Sequence, residues 1–252
     1  MHPFEPLPDD DRQPFGAIFD CPEWIDTVSW SLRRDQDARP GHRFFLEHYL
    51  APVAAVIADR LRSAGRVRVV DFGGGVGNLF VPIVGGLPRP DAVNYMIVEL
   101  PSNVRRGEEL FAGHPVKPRF VETLDEAPTT DVLIASSVIQ YIEDYGAILD
   151  RLFAFGADVV YLTRLLCTEG ASFAMRQNLT LSYGPHAGTY IGWTPSWFID
   201  RNEVHRRAEA AGYARLLDVF FSDYSGLLAG TPQEGIDCTL RTMMFGRTGS
   251  RG

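Results

Sequence analysis

An α/β fold built on a mostly parallel sheet is what this sequence predicts, and three observations predict it. Short apolar runs alternate with amphipathic segments from Val67 to Leu162. The first of these runs leads into a glycine-rich loop. The last two runs, Leu216 to Phe221 and Leu240 to Phe245, have no helix between them. Alternation with short connections calls for parallel strands joined by right-handed crossovers. Two consecutive strands call for an antiparallel hairpin at one edge of the sheet.

The elements follow in order. Residues 1–15, rich in Pro and Asp, read as a loose arm. Residues 22–38 read as a short helix with Trp24, Ile25, Val28 and Trp30 as its apolar contacts, broken at Pro40-Gly41. From Phe44 to Leu61 apolar residues such as Phe45, Tyr49, Val53, Ile57 and Leu61 recur at helical spacing, and Gly65 suits a left-handed cap. Strands are expected at Val67 to Phe72, Tyr95 to Leu100, Arg119 to Val121, Val132 to Ser136 and Val159 to Leu162, with helices over 78–86, 102–112 and 144–155. With the terminal pair the strands number seven. Asp200 to Ala211 reads as a helix closed by Gly212. The expected organisation is an N-terminal arm and helical lid over residues 1–64, then a catalytic domain over 65–252 with an insertion at 164–198.

Composition narrows the function. The chain has 252 residues, 45% hydrophobic and 22% charged, which suits a globular protein with a substantial core. A net charge of −8 repels phosphate backbones, so no nucleic-acid partner is expected. Cys21, Cys167 and Cys238 form no CxxC pair, which argues against a zinc site and for reduced thiols. Met1 to Pro6 lacks the basic and apolar regions of a signal peptide, and no apolar run approaches the roughly 18 residues of a membrane span. A cytoplasmic location and no membrane partner are therefore expected; a homodimer is left open.

The chemistry-bearing signal is Val69-Val70-Asp71-Phe72-Gly73-Gly74-Gly75-Val76-Gly77, placed between a strand and a helix. Glycines let the backbone turn sharply and come close to a ligand. Asp71 ahead of them would repel a pyrophosphate but suits an ammonium group. Glu99 ends the next strand, where a carboxylate can accept from both hydroxyls of a ribose. A dinucleotide site fits poorly, because the sixth position of Gly-x-Gly-x-x-Gly counted from Gly73 is Asn78.

These features resemble the class I S-adenosylmethionine (SAM)-dependent methyltransferases, over roughly residues 42–246. The Asp-x-Gly-x-Gly-x-Gly pattern is matched by Asp71, Gly73, Gly75 and Gly77, and the second-strand acid by Glu99. The resemblance implies a Rossmann-like fold, with an antiparallel last strand, and SAM as cofactor. A narrower resemblance, to an uncharacterised bacterial methyltransferase family whose members often accompany surface-polysaccharide or secondary-metabolite genes, rests on Asp71 to Gly75, Val98-Glu99-Leu100-Pro101, Ser136 to Ile142, Thr163-Arg164, Gln177 and Tyr190 to Phe198. By the family pattern Leu124 and Asp125 would bracket adenine, and Ser136 to Tyr141 would face methionine and the acceptor. Ser136 also reads as a cap, Tyr141 as core, and Leu124 and Asp125 as plain loop.

The acceptor side is expected in residues 164–198, a long aromatic-rich connection over the carboxyl edge of the sheet. His186 is the candidate general base, since neutral imidazole works near pH 7. Arg164 suits an acidic substrate group or an ordinary ion pair, and Tyr190 an orienting hydroxyl. His48 and His205 read as structural. The fourth-strand loop lacks a carboxylate to begin a magnesium site, so metal-independent methyl transfer to a natural-product or sugar-type acceptor is expected. SAM chemistry without methylation, and a non-catalytic SAM-binding subunit, remain alternatives at this point.

Overall fold

The computed structural model describes residues 3–8, 13–37 and 49–249, without the side chains of residues 35–37. Pro40-Gly41, His48 and the start of the helix expected from Phe44 lie outside them.

Three short strands with apolar residues on both faces build the centre. Along β2 (Val67–Phe72), Val69 points to one face of the sheet and Val70 to the other. The same alternation runs through β3 (Val93–Val98), with Tyr95 and Ile97 opposite Met96 and Val98, and through β5 (Val132–Ser136), with Val132 and Ile134 opposite Leu133 and Ala135. Both faces are apolar, as a parallel sheet covered on both sides requires. One face is covered by α1 (Pro22–Asp37), α2 (Ala51–Ala64), the short α3 (Phe80–Val84) and α4 (Pro101–Phe111); the other by α5 (Tyr145–Ala154) and α6 (Arg201–Ala210). Gly65, at φ 76°, closes α2 with its N–H on Leu61 O.

The central strand order is β4-β3-β2-β5-β6, where β4 is Arg119–Val121 and β6 Val159–Thr168, all parallel. The terminal pair then inverts in space: β10 (Cys238–Arg247) inserts antiparallel beside β6, and β9 (Tyr213–Asp223) flanks β10.

The expectation of seven strands needs correction, because among the described residues the sheet has ten. The additional strands are β1 (Phe4–Glu5), β7 (Phe173–Thr180) and β8 (Tyr190–Asp200). Segment 164–198 is therefore not a plain connection. β6 runs on through it to Thr168, β7 and β8 pair antiparallel, and the end of β8 meets Cys167 and Thr168 of β6. Nor is all of residues 1–15 a loose arm: Phe4 and Glu5 pair with Gln177 and Arg176, and Phe4 packs edge-on to Phe198 at 5.1 Å between ring centroids. That aromatic burial, with Leu166, Met175 and Leu240, makes a third core cluster under the extension.

Candidate functional site

At the carboxyl ends of the parallel strands lies a cavity of about 1470 Å³. Its floor is the glycine loop. Gly73 sits at φ 69° and its N–H donates to Val98 O at 2.9 Å, which ties the loop to β3. A Cβ there would collide with Val138, and one on Gly74 would lie 2.6 Å from Asp71 Oδ2. Only glycine allows this approach at both positions.

Glu99 follows β3 and faces the same cavity. Its Oε1 accepts from Gly75 N–H at 3.2 Å; its Oε2 accepts from Leu100 N–H and, at 3.3 Å, from Asn103 Nδ2. Burial pushes its carboxyl above the usual range, and those hydrogen bonds oppose the shift. Oε1 keeps capacity for one more donor, and Oε2 can exchange the long Asn103 contact for another.

Two residues on the opposite flank hold the left-handed backbone that side chains avoid: Ser137 at φ 54° after β5, and Arg164 at φ 52° within β6. Each conformation costs about 1–3 kcal/mol and persists only where neighbours enforce it. At Arg164 β10 enforces it. Thr163 pairs with Thr242 and Leu165 with Arg241, so Arg164 is the extra residue of a bulge. The bulge turns the guanidinium toward the cavity, with Nε donating to Ser136 Oγ at 3.2 Å and the plane 5.1 Å over the Tyr49 ring. Gln140 donates to both Ser137 Oγ and Arg164 O at 3.2 Å, locking the two strained residues together.

The roof comes from the N-terminal segment. Pro14, Phe15, Phe19 and Asp20 line the cavity, with Trp24 and Val28 of α1. Gly16 N–H donates to Thr194 Oγ1 of β8 at 3.0 Å, Phe15 stacks on Trp197 at 5.8 Å, and Phe19 meets both Trp24 and Tyr141 edge-on. Asn78 Nδ2 reaches from the glycine loop to Val28 O at 3.0 Å, so floor and roof are joined.

No protein-family model and no curated protein matches the sequence. Among solved structures, the fold is similar to a 1,6-didemethyltoxoflavin-N1-methyltransferase of Burkholderia thailandensis, solved with 1,6-didemethyltoxoflavin and S-adenosylhomocysteine, at TM-score 0.53 and 16% identity over 97% of this chain and 95% of that one. It is also similar to the magnesium protoporphyrin IX methyltransferase of Synechocystis PCC 6803 with bound SAM, at TM-score 0.51 and 13% identity over 91% and 93%. The chain has the fold of the class I SAM-dependent methyltransferases.

Within that methyltransferase fold, the expected residues divide. Gly73, Gly75, Glu99, Ser136, Tyr141 and Arg164 all face the one cavity. Gly77, at φ 102°, does not; it gives way to Phe111, whose ring a Cβ would approach to 2.7 Å. Asp71 lies beneath the loop, fully buried, with Oδ2 accepting from Tyr95 OH at 2.9 Å and Oδ1 unpartnered. Burial pushes its carboxyl up to about 7, against the Tyr95 bond; nearby Glu99 raises it further and Arg164 lowers it.

Four expected residues stand elsewhere, each for a visible reason. Leu124 is buried in the core with Val98, Val121 and Leu133. Asp125 points outward to Arg151 at 2.5 Å. His186 Nε2 lies 3.5 Å from Asp26 Oδ2, outside the cavity lining. Tyr190, 41% exposed, meets Asn178 and Arg176. The loop after β4 offers Glu122 instead, and segment 164–198 offers Leu179 and Tyr183. Sequence reasoning placed Glu122 in the loop that brackets adenine by the family pattern, and missed Phe15 and Phe19. The one available signal was two isolated aromatics close to a Pro- and Asp-rich stretch.

Proposed function

We propose that this cavity binds SAM and that the chain transfers the cofactor's methyl group to a small-molecule acceptor. The observation that carries the reading is the Gly75 N–H to Glu99 carboxylate contact at 3.2 Å, which puts the close-approach loop and the diol-binding acid on one wall. The residues fit the cofactor. Glu99 has the acceptor capacity for ribose hydroxyls, the loop has no side chain in the way, and the volume exceeds the roughly 300–1,000 Å³ of a usual ligand pocket. Bound there, SAM supplies an electrophilic methyl on a sulfonium.

The chain's own residues position and exclude water. Glu99 accepts from the ribose hydroxyls. Glu122, from the loop after β4, is the polar group toward adenine. Ser136 and Tyr141, at and after the end of β5, and Arg164 of β6 stand on the sulfonium side, two and three strands across the sheet from β3. Phe15, Phe19 and Trp24 close the cavity over the reacting centre, so in-line approach and desolvation do most of the catalysis. His186 lies outside the residues that line the cavity, and an acceptor nucleophilic in its neutral form needs no such base. Among the described residues no group of three His, Cys, Asp or Glu side chains is placed to hold a metal ion. A natural-product or sugar-type acceptor, in a cytoplasmic enzyme, remains the reading from the sequence.

Product analysis tests the transfer. Incubation with SAM and a library of small nucleophiles is expected to yield S-adenosylhomocysteine and a product heavier by one methylene, with and without EDTA. Methylthioadenosine as the sole product would place the chain among enzymes that break SAM differently.

A further inference from the structure

A second cavity of about 380 Å³ adjoins the first and shares Tyr49, Ser137, Tyr141 and Arg164 with it. It lies further across the sheet from Glu99, because its remaining wall comes from β7, β9 and β10. From β3 to β6 is three strand spacings, about 14 Å in all.

Its polar groups are incomplete. Gln140 is 1% exposed and commits Nε2 to Ser137 Oγ and Arg164 O. A carbonyl only accepts, so the amide cannot be turned round, and Oε1 is left without a partner. Gln177 Oε1 on β7 is likewise buried and unpartnered. Both amides stand beside the Tyr141 phenol, and with Gln140 Oε1 and Gln177 Oε1 unpartnered the cavity suits a ligand that donates. Arg164 asks for the opposite. No carboxylate of the described residues comes within 4.0 Å of its guanidinium, whose planar fork matches a carboxylate. The walls between these groups include the rings of Tyr141, Phe221 and Tyr224.

We propose that this small cavity anchors the acceptor, and that the anchored part is an aromatic ring bearing a carboxylate for Arg164 and a hydroxyl or N–H for Gln140 and Gln177. The carboxylate meets the unpaired guanidinium, the donor meets the amide oxygens, and the ring lies among aromatic walls. The assignment of this ring to the acceptor rests on the cofactor reading above, which puts the transferable methyl on the side of Ser136, Tyr141 and Arg164.

Calorimetry on the full chain, with and without S-adenosylhomocysteine, tests this with 4-hydroxybenzoate and benzoate as probes. Both are expected to bind at millimolar concentration, the hydroxy acid more tightly. Gln177→Leu is expected to abolish that preference while keeping benzoate binding, which also reports that the variant is folded. Arg164→Gln is expected to weaken both by about tenfold or more. Absence of probe binding at about 20 mM while S-adenosylhomocysteine binds, or binding that neither substitution changes, overturns the proposal. Probe binding that responds to both variants, without nucleoside binding, supports the ligand chemistry of this cavity and removes the cofactor reading alone.

Discussion

The two sides of the main cavity are made of different material. On the Glu99 side the wall is largely main chain: Gly73 N–H on Val98 O, Glu99 N–H on Val121 O, and Gly75 N–H on the Glu99 carboxylate, all across neighbouring parallel strands. On the roof the wall is rings, with Phe15 on Trp197 and Phe19 between Trp24 and Tyr141. Main-chain geometry admits little adjustment, so this side suits one invariant partner. Packed rings can be exchanged for others of similar volume at small cost to the fold, so on the proposed reading it is at the roof that acceptor selectivity changes.

Substitutions can break or sharpen this contrast. Gly73→Ala is expected to act most strongly, since it combines a left-handed φ with a collision at Val138. The loss should be about 2–4 kcal/mol of stability by denaturant unfolding. On the roof, Phe19→Ala is expected to lower turnover at least about tenfold while changing S-adenosylhomocysteine affinity less than about threefold. If the affinity falls as much as the turnover, the roof belongs to the cofactor as fully as the floor does.

A pH series probes the layer beneath the floor. Burial raises the Asp71 carboxyl to about 7, above the roughly 3.9 of an unfolded aspartate. Between those values the native state binds the extra proton, so stability is greatest at the acid end and declines as pH rises toward 7. Asp71→Asn should remove that decline, which unfolding midpoints at about pH 5 and about pH 8 will show. Equal slopes in both proteins would mean Asp71 is ionised throughout. The smallest effect is expected from His186→Ala, within about 0.5 kcal/mol of stability and without loss of turnover, because its contact is an exposed pair with Asp26.

The same division explains what could be read in advance. β4 and β5 lie at the residues expected, and the glycine loop and Glu99 share a cavity, because apolar period, glycine spacing and strand ends are local properties. The extension was not legible. β1 has two residues and no period, and β7 reads Phe173-Ala174-Met175-Arg176-Gln177, with no clean alternation. Both exist through pairing partners far away in the chain, at Gln177 for Phe4 and at Phe198 for Phe173. The bulge at Arg164 likewise depends on β10, 77 positions later at Arg241. His186 and Tyr190 were sensible candidates by residue type; their neighbours, Asp26 and Asn178, are set by tertiary contacts.

The most direct test of the central claim is a parallel titration of the wild-type chain and Glu99→Ala with S-adenosylhomocysteine by calorimetry. The account expects the wild type to bind one equivalent and the variant to bind more weakly by about 1–3 kcal/mol, because the ribose hydroxyls lose a charged acceptor. No binding by the wild type at millimolar ligand, or equal affinity in the two proteins, would contradict it.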